Sequence, residues 1–269
     1  TRTAAERVIN LQQPLADYAR QVEIDQIVVA LDDENAGLPM KDLFQCRMRG
    51  VKVVELVSFF EQEAGKILVD FVTPSWMAFA EGFDSRKASR IAKRGFDILA
   101  GSLLLAISWP LMLLTALAIW LEDGVGAPVL FRQERVRLHG RTFRVLKFRS
   151  MSLDAESDGK PRWASSNDRR VTRVGSVIRR LRIDELPQIL NVLAGQMAFI
   201  GPRPERPQFV EQLSRHIPYY KVRHCVKPGI TGWAQLNYPY GASSNDAHQK
   251  LQFDLYYVKN HSLFLDLMI

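Results

Sequence analysis

Cysteine is nearly absent: Cys46 and Cys225 are the only two among 269 residues. That excludes a disulfide framework and suits a reducing compartment, with both thiols read as small buried hydrophobes. Residues 1–10 contain no apolar run of signal-peptide type. No Gly-x-Gly-x-x-Gly follows either of the strands predicted near the N-terminus, so a dinucleotide site has no local support there. Ionisable side chains are missing altogether from 98–121, 24 consecutive residues made mostly of Leu, Ile, Ala, Met and Trp. The rest has the composition of a folded protein, 47% hydrophobic and 24% charged, which excludes wholesale disorder. The length predicts two domains, or one with an appendage.

Charge is unevenly distributed. Residues 1–83 hold 8 basic and 13 acidic side chains, whereas 84–269 hold 28 and 16, and the sum is a net +7. An acidic part followed by a basic part implies two units, the second with an anionic partner: nucleic acid, a membrane surface or a phosphorylated substrate. Nucleic acid drops out, because no reading motif accompanies the charge and the apolar run argues against it.

The first unit alternates helix-like and strand-like runs. A helix is predicted over 15–22, a strand over 26–31 ending in Asp32-Asp33-Glu34, a helix over 40–49 closed by Gly50, and a strand over 51–57. That order implies parallel strands joined by crossovers. Thr73-Pro74 and Gly82 mark the boundary, placing the first domain at 1–83.

A basic leader, 84–96, contains Arg86, Lys87, Arg90, Lys93 and Arg94. The apolar segment follows at 97–121. As a straight helix, 98–121 would cover about 36 Å, enough to cross a bilayer core; a buried core helix is the soluble alternative. Two observations oppose a straight crossing. Pro110 divides the run into 98–109 and 110–121, each about one leaflet deep. The run is also flanked on both sides by basic residues, with Arg132, Arg135, Arg137, Arg141, Arg144, Lys147 and Arg149 after it, and arginines and lysines stay on the cytoplasmic side. A helix that enters, breaks around Ser108-Trp109-Pro110 and returns satisfies both flanks, provided that side chains such as Ser108 take up the freed carbonyls.

Beyond Pro128, two strands are predicted around a turn at His139-Gly140. Residues 169–182, with Arg169, Arg170, Arg173, Arg179, Arg180 and Arg182 around Val174, Val177, Ile178 and Leu181, read as an amphipathic basic helix able to lie on headgroups or to present arginines to phosphates, with a solvated face as the plain alternative. In Asp184-Glu-Leu-Pro-Gln188, Pro187 in a first helical turn would make Asp184 the N-cap, its carboxylate kept ionised by the helix dipole and nearby arginines. Adjacent carboxylates among arginines can divide into a nucleophile and a Mg²⁺ ligand, or can be a cap with surface ion pairs. Gly201-Pro-Arg-Pro204 and Pro228-Gly-Ile-Thr-Gly-Trp233 read as rigid turns.

In this order, the basic leader, the proline-interrupted apolar segment, Lys147-Phe-Arg-Ser-Met151, Asp184-Glu-Leu-Pro-Gln188, Phe199-Ile-Gly-Pro-Arg-Pro204, Pro228-Gly-Ile-Thr-Gly-Trp-Ala-Gln235 and Phe253-Asp-Leu-Tyr-Tyr257 resemble the monotopic phosphoglycosyl transferases, the bacterial sugar transferase family. The resemblance covers about 90–269, and 1–83 more loosely resemble the CoA-binding-like domain of the long forms. It implies an α/β fragment with a Rossmann-like parallel sheet, then an α+β monotopic membrane domain with a re-entrant helix, amphipathic interfacial helices and a catalytic domain over 122–269. The long forms have transmembrane helices ahead of these parts and a basic tail after them, so a truncated chain is expected.

The implied activity is transfer of hexose-1-phosphate from a UDP-sugar, UDP-glucose or UDP-galactose, to undecaprenyl phosphate with release of UMP. This would be the first membrane step of exopolysaccharide or O-antigen assembly, on the cytoplasmic face of a bacterial inner membrane. By resemblance Asp184 is the nucleophile of a ping-pong sequence through a covalent phosphosugar, and Glu185 holds Mg²⁺. Arg179, Arg203, Lys147 and the flanking Pro202 and Pro204 belong to phosphate or nucleotide binding. Trp109 separates Ser108 from Pro110 where the family often has them adjacent, and Asn237-Tyr-Pro-Tyr-Gly241 replaces a common Gly-Arg pair. A non-catalytic membrane module is the alternative, and the acidic appendage allows a homodimer.

Overall fold

The computed structural model describes residues 11, 13–30, 37–80, 82–83, 87–124, 126–155, 168–239, 241 and 243–269. Residues 1–10, 32–34, Arg86 and Tyr240, named above, lie outside them, as does the side chain of Lys87. The chain divides into two compact units, Thr1–Val72 and Thr73–Ile269. The division falls ahead of the boundary expected at residue 83. The reason is local: Thr73 caps a short helix by accepting from the Trp76 amide at 3.1 Å, and Lys259 Nζ sits 4.9 Å over the Trp76 ring, within the second unit.

The first unit contains α1 (Leu15–Gln21), β1 (Gln26–Val29), α2 (Met40–Met48), β2 (Lys52–Glu55) and α3 (Leu56–Ala64). The strands pair in parallel, from Gln26 with Lys52 to Val29 with Glu55. Ala16, Ala19 and Cys46 form its buried centre, ringed by Leu15, Ile24, Ile27, Val51 and Val53. Gly50 follows α2 with φ +91°, the conformation that makes glycine a helix terminator.

The second unit begins with α4 (Pro74–Phe79), followed by α5 (Lys87–Asp123), a single helix of 37 residues with Pro110 inside it. The leader and the apolar segment are therefore one element, and the expected division at Pro110 is not an interruption. An interior proline removes one hydrogen bond and bends a helix without having to end it. Nor does the Ser108 hydroxyl take up a freed carbonyl: it lies 3.7 Å from the Met112 sulfur. Only one stripe of the helix is buried, through Gly101, Ser108, Thr115 and Ile119, while Leu99, Leu103, Ile107, Leu113, Leu114, Leu117 and Leu121 are exposed. Among the described residues it is the one helix long and apolar enough to cross a membrane.

Both ends of α5 are fastened to the remainder of this unit, an antiparallel hairpin of β3 (Leu130–Val136) and β4 (Thr142–Phe148) followed by α6 (Arg173–Arg180), α7 (Gln188–Leu193), β5 (Ala198–Ile200), α8 (Pro207–His216), β6 (Gly229–Thr231), α9 (Trp233–Asn237), α10 (Ser244–Asn260) and α11 (Leu263–Met268). The hairpin turns at His139 and Gly140, as predicted, both with positive φ. Near the start of α5, Arg94 donates to the Val192 and Leu193 carbonyls at 2.6 and 2.7 Å, capping α7, and Asp97 accepts from the Phe199 amide at 3.1 Å. At its other end Asp123 pairs with Arg149 at 2.6 Å, and Glu122 accepts from the Arg173 amide at the start of α6 at 2.8 Å. Ile119 packs with Phe148 and Ile178. The basic helix expected over 169–182 is thus shorter, and part of the apolar face assigned to the membrane is buried in protein; Val177 and Leu181 remain exposed. A second cluster, Phe143, Val145, Val192 and Met197, lies between the hairpin and α7. Cys225 is exposed, against expectation, because the 3₁₀ turn Tyr220–Cys225 points Tyr220 and Arg223 inward, three residues apart.

Candidate active site

Asp184 and Glu185 sit on a 3₁₀ turn, Ile183–Glu185, entered through Arg182 in the left-handed conformation at φ 59°. Pro187, rather than Asp184, stands at the N-cap of α7. The 3₁₀ turn separates the dyad from the helix, so Asp184 is not a cap. Both carboxylates are turned inward, 8% and 7% exposed.

Their environments diverge. Glu185 Oε1 accepts from Lys147 Nζ at 2.9 Å and Arg203 Nη2 at 2.6 Å, with Arg182 at 3.9 Å. Burial favours its neutral form, but the charges and hydrogen bonds of Arg203 and Lys147 outweigh that and hold the carboxyl at about 2. Asp184 Oδ1 is buried with no hydrogen-bond partner among the described residues. Burial pushes its pKa up; the positive charges of Lys147, Arg179 and Arg182 offset this only in part. The capping aspartate expected from sequence is therefore replaced by a desolvated one. Lys147 is pushed down, by burial first and then by the Arg203 charge.

Each partner is held from behind. Asn191 of α7 accepts from the Leu146 amide and donates to the Arg144 carbonyl, both at 2.9 Å, fixing β4 where it carries Lys147. Arg203 lies between two prolines, neither of which has an amide to donate. The strap around it is instead held by its carbonyls. Ile200 accepts from Tyr257 Oη at 3.0 Å and Lys93 Nζ at 3.2 Å, Pro202 from the Gly229 amide at 3.0 Å, and Arg203 from Arg223 Nη2 at 3.0 Å. Pro204 accepts from Arg135 Nη1 at 3.1 Å. Lys93 also pairs with Asp266, whose Oδ1 lies 2.6 Å from Tyr257 Oη and competes with the Ile200 carbonyl for the one hydroxyl proton. Pro202 and Pro204 thus stiffen the mount of Arg203.

The two glycine-proline motifs lie backbone against backbone. β5 and β6 pair in parallel, and a Cβ at Gly201 would come 2.3 Å from the Lys227 carbonyl oxygen. At Gly229 and Gly232 the nearest atoms, the Gly201 nitrogen and oxygen, would be 2.2 Å away. In Phe253-Asp-Leu-Tyr-Tyr257, Asp254 pairs with Arg223 at 2.7 Å. Lys93, Asn191, Arg223 and Asp266 were not singled out as site residues from sequence; their partners lie far along the chain, and a proline-rich strap in need of outside donors was the available signal.

The structure thus brings Lys147, Arg203, Asp184 and Glu185 together, with Arg179 near enough for its charge to act on Asp184. Ser108 and Pro110 lie apart from them, on α5. No group of three or more His, Cys, Asp or Glu side chains placed to hold a metal ion occurs among the described residues. A pair of carboxylates with a free buried oxygen still suits Mg²⁺, which takes one or two carboxylates and completes its shell from water and substrate phosphates.

The sequence profile of the bacterial sugar transferase family matches residues 88–269. The chain is 43% identical over 249 residues to the UDP-N-acetylgalactosamine-undecaprenyl-phosphate N-acetylgalactosaminephosphotransferase of Aeromonas hydrophila, covering 92% of this chain and 57% of that protein. It is 37% identical over 258 residues to the undecaprenyl-phosphate glucose phosphotransferase of Komagataeibacter xylinus, covering 93% and 48%. With the UDP-glucose:undecaprenyl-phosphate glucose-1-phosphate transferase of Escherichia coli (strain K12) it shares 42% over 183 residues, 67% and 39%. The chain spans about half the length of the curated relatives it matches. One unbroken match takes in the long helix, the dyad and the Pro-Arg-Pro strap, and on that ground the chain belongs to the bacterial sugar transferase family.

Proposed function

We propose that this chain carries the catalytic unit of a phosphoglycosyl transferase that moves hexose-1-phosphate from a UDP-sugar to undecaprenyl phosphate, with Asp184 as nucleophile. The observation that carries this reading is the contrast within the dyad: Glu185 Oε1 is taken by Lys147 and Arg203, while Asp184 Oδ1 is buried with no hydrogen-bond partner among the described residues. An unsolvated carboxylate keeps its lone pairs for attack, and burial makes its anion the less comfortable form. In the first step an Asp184 oxygen bonds to the β-phosphorus, the bond from that phosphorus to the bridging oxygen breaks, and UMP leaves with the oxygen. In the second, an oxygen of undecaprenyl phosphate attacks the same phosphorus, and the Asp184 carboxylate is released. Lys147, Arg179 and Arg203 supply the positive charge that positions a diphosphate, the main requirement of phosphoryl transfer. Glu185, with phosphate oxygens and water, would hold Mg²⁺, which supplies further neutralisation of that charge.

The exposed apolar face of α5 supports membrane attachment, and the basic residues on both flanks support a catalytic unit on the cytoplasmic face of a bacterial inner membrane. Lys93, Arg94 and Asp97 near one end, and Glu122 and Asp123 at the other, bond to the same polar unit. A straight crossing would put those two ends on opposite sides of the bilayer. This supports a helix that dips into one leaflet near Pro110 and returns. Tags before residue 87 and after residue 149 that map to opposite faces would overturn it. The first unit, with its parallel strand pair, is read as part of a Rossmann-like appendage.

The relatives' names divide between N-acetylgalactosamine and glucose. The test is UMP release from a panel of UDP-glucose, UDP-galactose and UDP-N-acetylgalactosamine with undecaprenyl phosphate and Mg²⁺. Release from one of them, lost in Asp184→Asn, is the expected result. No release from any, or release unchanged in Asp184→Asn, would overturn the proposal.

A further inference from the structure

Arg223 lies outside every motif that carries the family resemblance, yet it is among the most enclosed charges in the unit, 6% exposed. Its Nη2 donates to Asp254 Oδ2 at 2.7 Å and to the Arg203 carbonyl at 3.0 Å, and its Nη1 to Tyr220 Oη at 3.0 Å. The guanidinium also lies 5.2 Å from the centre of the Tyr220 ring. Arg203 in turn reaches Glu185 at 2.6 Å. A run of charge-assisted contacts therefore leads from Asp254 on α10 through Arg223 and the Arg203 backbone to the dyad.

We infer that Arg223, oriented by Asp254, is a positioning residue that sets the Arg203 guanidinium on Glu185 by gripping the Arg203 carbonyl. The inference rests on the transferase reading of this site.

Three arguments support it. A buried ion pair contributes little net stability compared with an apolar pair of the same volume, so folding alone does not account for this one. Beyond the partners that enclose it, Arg223 reaches the Arg203 carbonyl in the strap. Finally, Arg203 stands between prolines, and Pro204 restricts it to extended conformations. Its peptide plane is the remaining backbone freedom, and a carbonyl held at 3.0 Å removes it. A small rotation there would displace the guanidinium, at the end of a long side chain, by about 1 Å, and misplacement on that scale costs on the order of 10²-fold in rate.

The test uses the full chain in nanodiscs. The charge-free pair Arg223→Met/Asp254→Leu keeps volume without charge, and Arg223→Lys keeps charge without the fork. Should the former fail to fold, the latter carries the test. The expected loss in kcat/KM is about 10- to 100-fold with the melting temperature little changed. In an Arg203→Ala background the same changes should alter the rate less than about twofold, because the positioned group is gone. An equal loss in both backgrounds would overturn the inference. An independent readout is the side-chain ¹⁵Nε–¹H signal of Arg203, identified by its absence in Arg203→Lys. It should move in the Arg223 variants, and an unmoved signal overturns the positioning role. If wild-type protein releases no UMP, the transferase reading falls, and this signal alone decides whether Arg223 holds Arg203.

Discussion

Asp184 and Asp254 are both buried aspartates of the same unit, 8% and 3% exposed, and they are finished differently. Asp254 has a guanidinium at 2.7 Å, and its pair continues into the strap. Asp184 has an oxygen sealed from solvent with no hydrogen-bond partner among the described residues. The first arrangement fixes geometry; the second leaves a group with its bonding capacity unspent. A reactive centre needs both, because a nucleophile tied by hydrogen bonds would be slow, and one without rigid surroundings would be misaimed.

Neutralising the two aspartates should have opposite effects on stability. Asp184→Asn is expected to lower UMP release by about 10⁴-fold or more. It should also raise the melting temperature by roughly 2–4 °C, since an unpaired buried charge is removed. Asp254→Asn should do the reverse to stability, costing about 3 kcal/mol by stranding the Arg223 charge. Calorimetry on both variants checks this, and shifts of the same sign would mean that the two sites are not different in kind.

Glu185→Gln strands Lys147 and Arg203 together. A loss of about 10²–10³-fold in UMP release is expected, with about 2 kcal/mol of stability measured by denaturant titration.

The acid side of the pH profile separates the dyad members. Glu185 is depressed from 4.5 to about 2, so its stabilising contribution is complete above pH 4.5 and is lost as pH falls toward 2. Burial raises Asp184 above 3.8, so the native protein holds this proton more tightly than the unfolded chain does, and the rate should climb with pH as the carboxylate forms, at a higher pH than for an ordinary aspartate. Melting curves between pH 2 and 5 should lose this slope in Glu185→Gln, and UMP release against pH locates the Asp184 limb.

The smallest effect is expected from Tyr257→Phe, about 1–2 kcal/mol by thermal unfolding with a modest rate change, because Lys93 still reaches the Ile200 carbonyl at 3.2 Å.

Much of this was legible in the sequence where the signal was local. The parallel α-β-α-β order, the hairpin around His139-Gly140 and the 24-residue uncharged run all follow from periodicity, glycine placement or composition. The dyad and the strap could be located by motif. What could not be read was burial. Pro187 suggested a helix start at Asp184, but a 3₁₀ turn intervenes, and Asp184 is buried with its pKa pushed up instead of capping the helix. The face of α6 given to headgroups contains Ile178, which fills a space between α5 and β4. A proline in an apolar run does not say whether the helix stops or merely bends. Arg223 looks like any other basic residue until Asp254 and the Arg203 carbonyl are seen beside it.

The contact between the loops at Gly201, Gly229 and Gly232 has a consequence for how the site can diversify. Where main chains touch with no space for a single carbon, the spacing of the two turns is a fixed dimension, set by van der Waals radii rather than by residue choice. Substitution has no gradual route through these positions, since the first methyl group would already force the turns apart. It has to proceed through side chains that project from the slab, leaving its thickness as a constant against which they are measured.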